Sequence, residues 1–130
     1  MPQISKRRLN KNLEEKLIET LDLALGKLSK EETRLFLVSL LTPTERLMLA
    51  KRLGIAMFLK QGVQQSQIAS MLCVTQETVA RTNLLLQVKG KGYDIAFKKL
   101  LTDAFMKEFK KVFVKLTEYS LRAATGYVKP

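Results

Sequence analysis

The amino-acid sequence predicts an all-α fold of about six helices. Apolar residues recur at helical spacing along most of the chain, and no segment alternates apolar and polar residues as a half-buried strand does. At the start of several of these segments a capping residue stands three positions before a glutamate, which marks a helix start. Residues 65–87 also have the spacing of two short helices joined by a tight turn.

The length and composition predict a single globular domain. A chain of 130 residues can bury a modest core, and 46% hydrophobic with 27% charged residues is typical of a folded protein. No apolar run reaches the roughly 18 residues of a transmembrane helix, and no apolar stretch of signal-peptide length precedes Asn10. The single Cys73 cannot form an internal disulfide. We therefore expect a cytoplasmic protein with no membrane partner.

The first segments are predicted to form a flexible basic arm over residues 1–9 and then two helices. The first helix should begin near Asn12, with Glu15 as its capping partner. Ser29 and Glu32 form a capping box for the second. The first helix carries an apolar stripe that must be covered by the rest of the chain or by a second copy of it. The stripe of the first helix consists of Leu13, Leu17, Ile18, Leu21, Leu25 and Leu28. In the second helix the residues expected to face inward are Leu35, Phe36, Val38 and Leu40.

A third helix has the clearest start in the sequence. Thr42 can cap it, Pro43 fills the first helical position, and Glu45 completes the capping box. Its apolar residues continue to Phe58, and Gly62 is expected to end it.

The next segment has the apolar pattern of a DNA-binding helix-turn-helix. Ile68, Ala69 and Leu72 fall on one face of its first helix. Val74 lies in the turn, and Val79 faces back from the second helix. This arrangement buries one side of the motif and leaves the opposite side of the second helix free to contact DNA.

Two residues at the turn have specific expectations. Thr75 can cap the second helix, and Cys73 occupies a position often filled by glycine, so it must adopt a strained backbone. The outward positions of the second helix are predicted to be Gln76, Glu77, Thr78, Ala80, Arg81 and Thr82, most of which carry polar groups that can reach base edges in a major groove. The side chains expected to contact DNA are Gln65, Ser66, Thr75, Gln76, Glu77, Thr78, Arg81, Thr82, Lys89 and Lys91.

After this motif the chain is expected to break at the Gly-Lys-Gly sequence of residues 90–92 and continue as one long helix over residues 93–130. We expect this helix to serve dimerisation or to extend the protein, with residues 10–92 as the helical core. One side of it is lined by Phe97, Leu101, Phe105, Phe109, Val112, Phe113, Leu116 and Tyr119, and Lys98, Lys99, Lys107, Lys110, Lys111 and Lys115 lie largely opposite.

The charge favours an anionic partner. The chain carries 23 basic and 12 acidic residues, a formal net charge of +11, and nucleic acid is the commonest partner of such a protein. Between Gln61 and Gln87 the only charged residues are Glu77 and Arg81. An excess of basic residues around a nearly neutral helix-turn-helix is typical of a protein whose phosphate contacts flank its base contacts. Many lysines, however, simply keep helical faces hydrated. The flanking basic residues include Lys6, Arg7, Arg8, Lys11, Lys89 and Lys91.

Several kinds of chemistry are missing from the sequence. There is no histidine and only one cysteine, which excludes a Cys–His or Ser–His nucleophile pair and a conventional His/Cys metal site. No phosphate-binding GxxxxGK[ST] loop is present. We therefore expect neither an enzyme nor a metalloprotein.

The chain resembles the tryptophan repressor superfamily over roughly residues 35–101. The resemblance begins at the Leu-Thr-Pro-Thr-Glu-Arg sequence of residues 41–46 and continues through residues 51–53, Gly62 and residues 68–72. It then includes residues 78–81, 84–87 and 90–93. The Gly-Lys-Gly-Tyr sequence of this last segment is more similar to the Trp-repressor-like YerC/YecD group than to the tryptophan repressor itself.

The resemblance implies an intertwined homodimer in which the first and last helices of one chain embrace those of the other. It also implies two recognition helices in successive major grooves of double-stranded DNA. A small-molecule co-repressor would lie between Arg52 and Arg81. Thr82 replaces a glycine of the tryptophan repressor and would crowd an indole, so an unknown effector, or none, is favoured over tryptophan. The positions that match the partner chain's share of this pocket are Ser39, Leu41 and Thr42.

The sequence thus predicts a homodimeric, sequence-specific DNA-binding transcriptional regulator, with repression as the expected sign. Two alternatives remain open. The nearly neutral reading helix is compatible with a protein-interaction adaptor that reuses the helix-turn-helix, for instance on RNA polymerase. The net charge of +11 is compatible with a non-specific, chromatin-like DNA-binding protein.

Overall fold

The computed structural model describes residues 7–101 together with residues 111, 114, 115 and 118. Over these residues the protein is all-α, with six helices and no strand, which confirms the predicted fold class. The helices are α1 (Lys11–Lys27), α2 (Lys30–Leu40), α3 (Pro43–Lys60), α4 (Gln65–Leu72), α5 (Gln76–Lys89) and α6 (Lys91–Leu101).

Two predicted capping boxes are formed. The Ser29 hydroxyl accepts from the Glu32 backbone N–H at 3.3 Å, and the Glu32 carboxylate accepts from the Ser29 N–H at 2.9 Å. Thr42 and Glu45 repeat the arrangement at 3.1 and 2.9 Å. The backbone N–H of the capping residue, followed by its hydroxyl, lowers the pKa of each glutamate below its ordinary value. These bonds fix where α2 and α3 begin.

The start of α1 differs from the prediction. The helix begins at Lys11, and its cap is Asn10, whose side chain accepts from the Asn12 N–H at 2.9 Å. Asn12, predicted to open the helix, is therefore already inside the first turn, where its N–H is one of the donors that need a cap. The pairing of Asn12 with Glu15 is replaced by this Asn10 cap.

The chain divides into two units, and the boundary falls within α3 after Leu49. In the first unit neither α1 nor α2 contains a buried residue. Leu35, Val38 and Leu40 of α2, which were predicted to face inward, are 56%, 48% and 50% exposed, and Phe36 is half-buried. The prediction that these side chains face inward is therefore wrong for Leu35, Val38 and Leu40 within a single chain. The helical spacing predicted the helices, but spacing alone does not tell what covers an apolar face.

The second unit contains the hydrophobic core. Ile55 and Phe58 of α3 pack with Ile68 and Ala69 of α4 and with Val79 of α5. The partly buried residues around them are Leu59, Val63, Leu72 and Val74. The core thus holds the helix-turn-helix against the second half of α3.

Two junctions border this core. After α3 the chain turns at Gly62, which has a φ of 83°, and the Val63 N–H returns to the Phe58 carbonyl at 3.1 Å. This confirms Gly62 as the end of the helix. At the other junction the break between α5 and α6 falls on Gly90 alone, because Gly92 is already part of α6. An ion pair between Lys60 and Asp94 links the end of α3 with the first turn of α6.

Most of the long C-terminal helix predicted over residues 93–130 lies outside the described residues, including the aromatic stripe from Phe105 to Tyr119. Phe97 is half-buried and its ring lies 5.9 Å from that of Tyr93. None of the helices in the described part of the chain has the length and apolar character needed to cross a membrane.

Candidate nucleic-acid interface

The helix-turn-helix is built as its apolar pattern predicts. Ile68 and Val79 are fully buried, and Ala69 is 7% exposed where α4 and α5 pack together. The Val74 N–H donates to the Ala69 carbonyl at 3.0 Å and closes the end of α4. These contacts fix the orientation of α5 on the core.

The turn depends on Cys73. Its backbone is left-handed, with φ 54° and ψ 50°, and it is the only residue other than glycine with a positive φ in the described part of the chain. The strained backbone predicted at this position is confirmed. A side chain in this conformation costs roughly 1–2 kcal/mol relative to glycine, and the well-packed helices on either side hold it.

The first turn of α5 is closed by two threonines. The Thr75 hydroxyl accepts from the Thr78 N–H at 3.1 Å and lies 2.9 Å from the Thr78 hydroxyl. Thr75 is therefore the helix cap, as predicted. The two hydroxyls lie within hydrogen-bond distance of each other and position the first turn of the helix, and both side chains remain exposed.

Thr82 does not face outward. It is 6% exposed, and its hydroxyl donates to the Thr78 carbonyl at 3.0 Å. It lies three residues after Val79 and shares the buried face of α5 with it. The prediction that Thr82 is an outward side chain is wrong, because its polarity was weighed above its position in the helical period.

Four side chains remain exposed at the outward start of α5, namely Gln76, Glu77, Thr78 and Arg81. Arg81 donates to the Glu77 carboxylate over 2.6 Å, and both side chains are about three-quarters exposed. Sequence reasoning missed this ion pair, although the spacing of four residues was the signal for it. Ala80, also predicted outward, is half-buried. The exposed surface of the helix start is thus polar and close to neutral.

The other predicted DNA contacts lie on α4, at the end of α5 and in the N-terminal segment. On α4, Ser66 is exposed and Gln65 is half-buried. Lys89 and Lys91 are exposed on either side of Gly90, at the opposite end of α5 from Gln76. In the predicted arm, Arg7 and Arg8 are exposed, whereas Lys6 lies outside the described residues.

Arg52 and Arg81, predicted to frame an effector pocket, line one cavity of about 460 Å³. Thr82 also lines it, with Leu85 as an apolar wall. Among the residues that the structure describes, Arg52 forms no ion pair. The full lining is Arg52, Thr78, Arg81, Thr82, Leu85, Lys89 and Tyr93. The cavity is therefore rich in cationic side chains.

The other residues of the predicted pocket belong to the first unit. There, Leu41 is half-buried, Ser39 is exposed, and the Thr42 hydroxyl caps α3. Within the described ranges no three acidic or cysteine side chains cluster closely enough to hold a metal ion.

The chain matches a protein-family model. The model described as Trp repressor protein matches residues 15–101, which include most of α1 and all of α2 to α6. The chain matches no curated protein and no solved structure.

Proposed function

This chain belongs to the Trp repressor protein family, and from that we propose that it is a sequence-specific DNA-binding regulator of transcription. The observation that carries the proposal is the exposed start of α5, where Gln76, Glu77 and Arg81 face outward from a helix whose other side is locked into the core. In a helix-turn-helix protein the start of the second helix enters the major groove. A cytoplasmic location follows from this function.

Exposed basic residues supply the phosphate contacts. Lys89 and Lys91 are exposed at the far end of the helix, and Arg7 and Arg8 are exposed in the N-terminal segment. Contacts of this kind raise the affinity for any duplex and position the protein, whereas the outward side chains of α5 select the sequence.

The protein acts as a homodimer in this proposal. Leu13, Leu17 and Leu21 are 49%, 52% and 40% exposed along one stripe of α1. A row of large apolar side chains with this exposure is unfavourable in water and is typical of a surface that a partner covers. A second copy would also supply the second recognition helix that a near-palindromic DNA site requires.

The sign of regulation, the subgroup and the effector are also part of the proposal. In this proposal the regulator represses transcription. It also resembles the Trp-repressor-like YerC/YecD group through the Gly-Lys-Gly-Tyr sequence of residues 90–93. Its DNA binding does not depend on tryptophan, because Thr82 lines the cavity between Arg52 and Arg81. An effector of that cavity, if one acts, is another small molecule.

The test is selection from a random duplex library at near-physiological salt, with and without L-tryptophan. An enriched two-fold motif with half-sites about one helical turn apart is expected, and it should be the same in both conditions. A motif that is enriched only when tryptophan is present would overturn the proposal that DNA binding does not depend on tryptophan. Binding that persists only at low salt with no motif would instead indicate a non-specific DNA-binding protein.

One observation favours a second function. Arg81 is already paired with Glu77, so the outward start of α5 is nearly neutral, as expected of a surface that binds another protein. In this alternative the helix-turn-helix is an adaptor surface. A protein partner whose binding is lost when Gln76 is replaced by Ala, with no DNA motif enriched, would support it.

A further inference from the structure

Glu77 is the single acidic residue between Glu45 and Asp94 in the sequence. The basic residues of the same interval are Arg46, Lys51, Arg52, Lys60, Arg81, Lys89 and Lys91. A negative charge at the outward start of α5 opposes the attraction of this basic region for a polyanion. Its position therefore works against simple phosphate binding.

The geometry pairs the Glu77 carboxylate with Arg81. Arg81, one helical turn later, donates to the Glu77 Oε1 over 2.6 Å. Both side chains remain largely exposed, so the pair is weak and the carboxylate stays accessible to a ligand. The Thr75–Thr78 cap fixes the backbone beneath them. The result is an acceptor held at a defined place beside an arginine.

Resting on the DNA-binding function proposed above, we propose that Glu77 is a specificity-determining residue that selects a cytosine at one position of each half-site. The carboxylate accepts a hydrogen bond from the cytosine N4 amino group in the major groove. Through the ion pair it also orients the Arg81 guanidinium toward the neighbouring base pair.

The chemistry of the base edges makes this selection one-sided. An ionised carboxylate is only an acceptor. Guanine presents the N7 and O6 acceptors in the major groove, and thymine presents O4, so either would repel it. Adenine offers one amino group but places the N7 acceptor next to it. Cytosine alone offers a donor with no acceptor on the major-groove edge of the same base.

The alternative is a purely structural role, in which Glu77 only stabilises α5 through the helix dipole and its pair with Arg81. Replacing Glu77 by Gln separates the two explanations, because the amide keeps the size of the side chain but is both donor and acceptor. We expect Glu77→Gln to reduce the discrimination for cytosine at that position by roughly tenfold. Its affinity for unrelated duplexes should rise, since a negative charge has been removed.

The matched control is Glu31→Gln. Glu31 is an exposed glutamate of α2 that pairs with Arg34 at 3.6 Å, so the substitution changes the net charge equally in another helix. It should leave the selected motif unchanged. Glu77→Ala serves as a second variant and should lose the cytosine preference as well.

Library selection with the full-length protein and its variants gives the readout. A wild-type motif without a preferred cytosine in each half-site overturns the assignment, as does an identical motif from wild type and Glu77→Gln. A wild-type protein that enriches no motif overturns the DNA-reading function itself, and the role of Glu77 with it.

Discussion

At the residue scale, Arg81 is the side chain whose loss should be most visible in DNA binding. It is exposed at the outward start of α5 and is held there by Glu77. Replacement by Ala should weaken binding to the selected site by about 1–3 kcal/mol and relax the preference at the contacted base. Electrophoretic mobility shift or fluorescence anisotropy measures the change.

The control for that variant is Arg34→Ala. Arg34 is also an exposed arginine in a helical ion pair, but it lies on α2. It should change the affinity little. Equal effects of both substitutions would show that only the total charge matters.

Gly90 is the residue on which the junction of α5 and α6 depends. It is buried, and a Cβ added to it would overlap the carbonyl oxygen of Leu86. Gly90→Ala must shift the backbone and should lower the free energy of unfolding by about 1–3 kcal/mol. Chemical denaturation followed by circular dichroism gives the value.

Gly92 provides the comparison two residues later. A Cβ there would contact nothing within 4 Å, and the residue is inside α6. Gly92→Ala should therefore stabilise the protein by up to about 1 kcal/mol. Destabilisation by this variant would contradict the helical conformation described for Gly92.

How far the sequence predicts individual side chains depends on which property was used. The apolar positions Ile68 and Val79 followed from spacing and are buried. Thr82 was placed by its polarity and proved buried, because a hydroxyl can donate to the carbonyl one turn earlier and so enter a helix interface without an unpaired group. The Glu77–Arg81 pair could have been predicted from spacing, but its occupancy depends on rotamers that the sequence does not fix.

At the element scale, the capping boxes make the starts of α2 and α3 sensitive to pH. Hydrogen bonds from Ser29 and Thr42 lower the pKa values of Glu32 and Glu45 in the folded state. A lowered folded-state pKa contributes stability that is present above the unfolded pKa and is lost as the pH falls through the folded value. Unfolding monitored from about pH 6 to about pH 3 should show this loss.

The double variant Glu32→Gln/Glu45→Gln isolates the effect. Its amides keep an acceptor for the capping residue but do not titrate in this range. The wild type should lose more stability on acidification than the variant does. Parallel losses in the two proteins would mean that the boxes contribute nothing through their charge.

The elements themselves were predictable where local signals determine them. The start of α3 at Thr42 follows from capping chemistry, and the turn at Gly62 follows from a positive φ that few residues other than glycine adopt. The start of α1 was placed two residues late, since Asn10 and Asn12 are both capable caps and only the local hydrogen bonds decide between them. The faces of α2 could not be assigned, because exposure depends on packing partners rather than on propensity.

At the scale of the whole molecule, the net charge of +11 should appear in the salt dependence of binding. Lys89→Ala removes one exposed cation at the end of α5 and should weaken cognate and unrelated duplexes alike. The slope of log K against log salt concentration should decrease by about one. Lys16→Ala, an exposed lysine of α1, should leave the slope unchanged. A loss confined to the cognate sequence would make Lys89 a base-reading residue.

The proposed homodimer predicts the assembly state and the surface that maintains it. Leu17 lies at the middle of the exposed leucine stripe of α1, between Leu13 and Leu21, and is 52% exposed. If a second copy covers this stripe, a charge placed there must be buried without a partner, which is strongly unfavourable. In sedimentation velocity at micromolar concentration the wild type should therefore be a dimer, and Leu17→Lys should shift it toward the monomer.

Glu19→Gln is the matched control. It raises the net charge of α1 by one, as Leu17→Lys does, but it lies on the face away from the stripe. It should sediment as the wild type does. DNA affinity links this result to function: a monomer contacts one half-site only, so Leu17→Lys should bind an isolated half-site as the wild type does but lose the gain from the full two-fold site. A wild type that sediments as a monomer, or a Leu17→Lys variant that remains dimeric, would remove α1 from the dimer interface. The exposed leucines would then have to be covered by something other than a second copy of the chain.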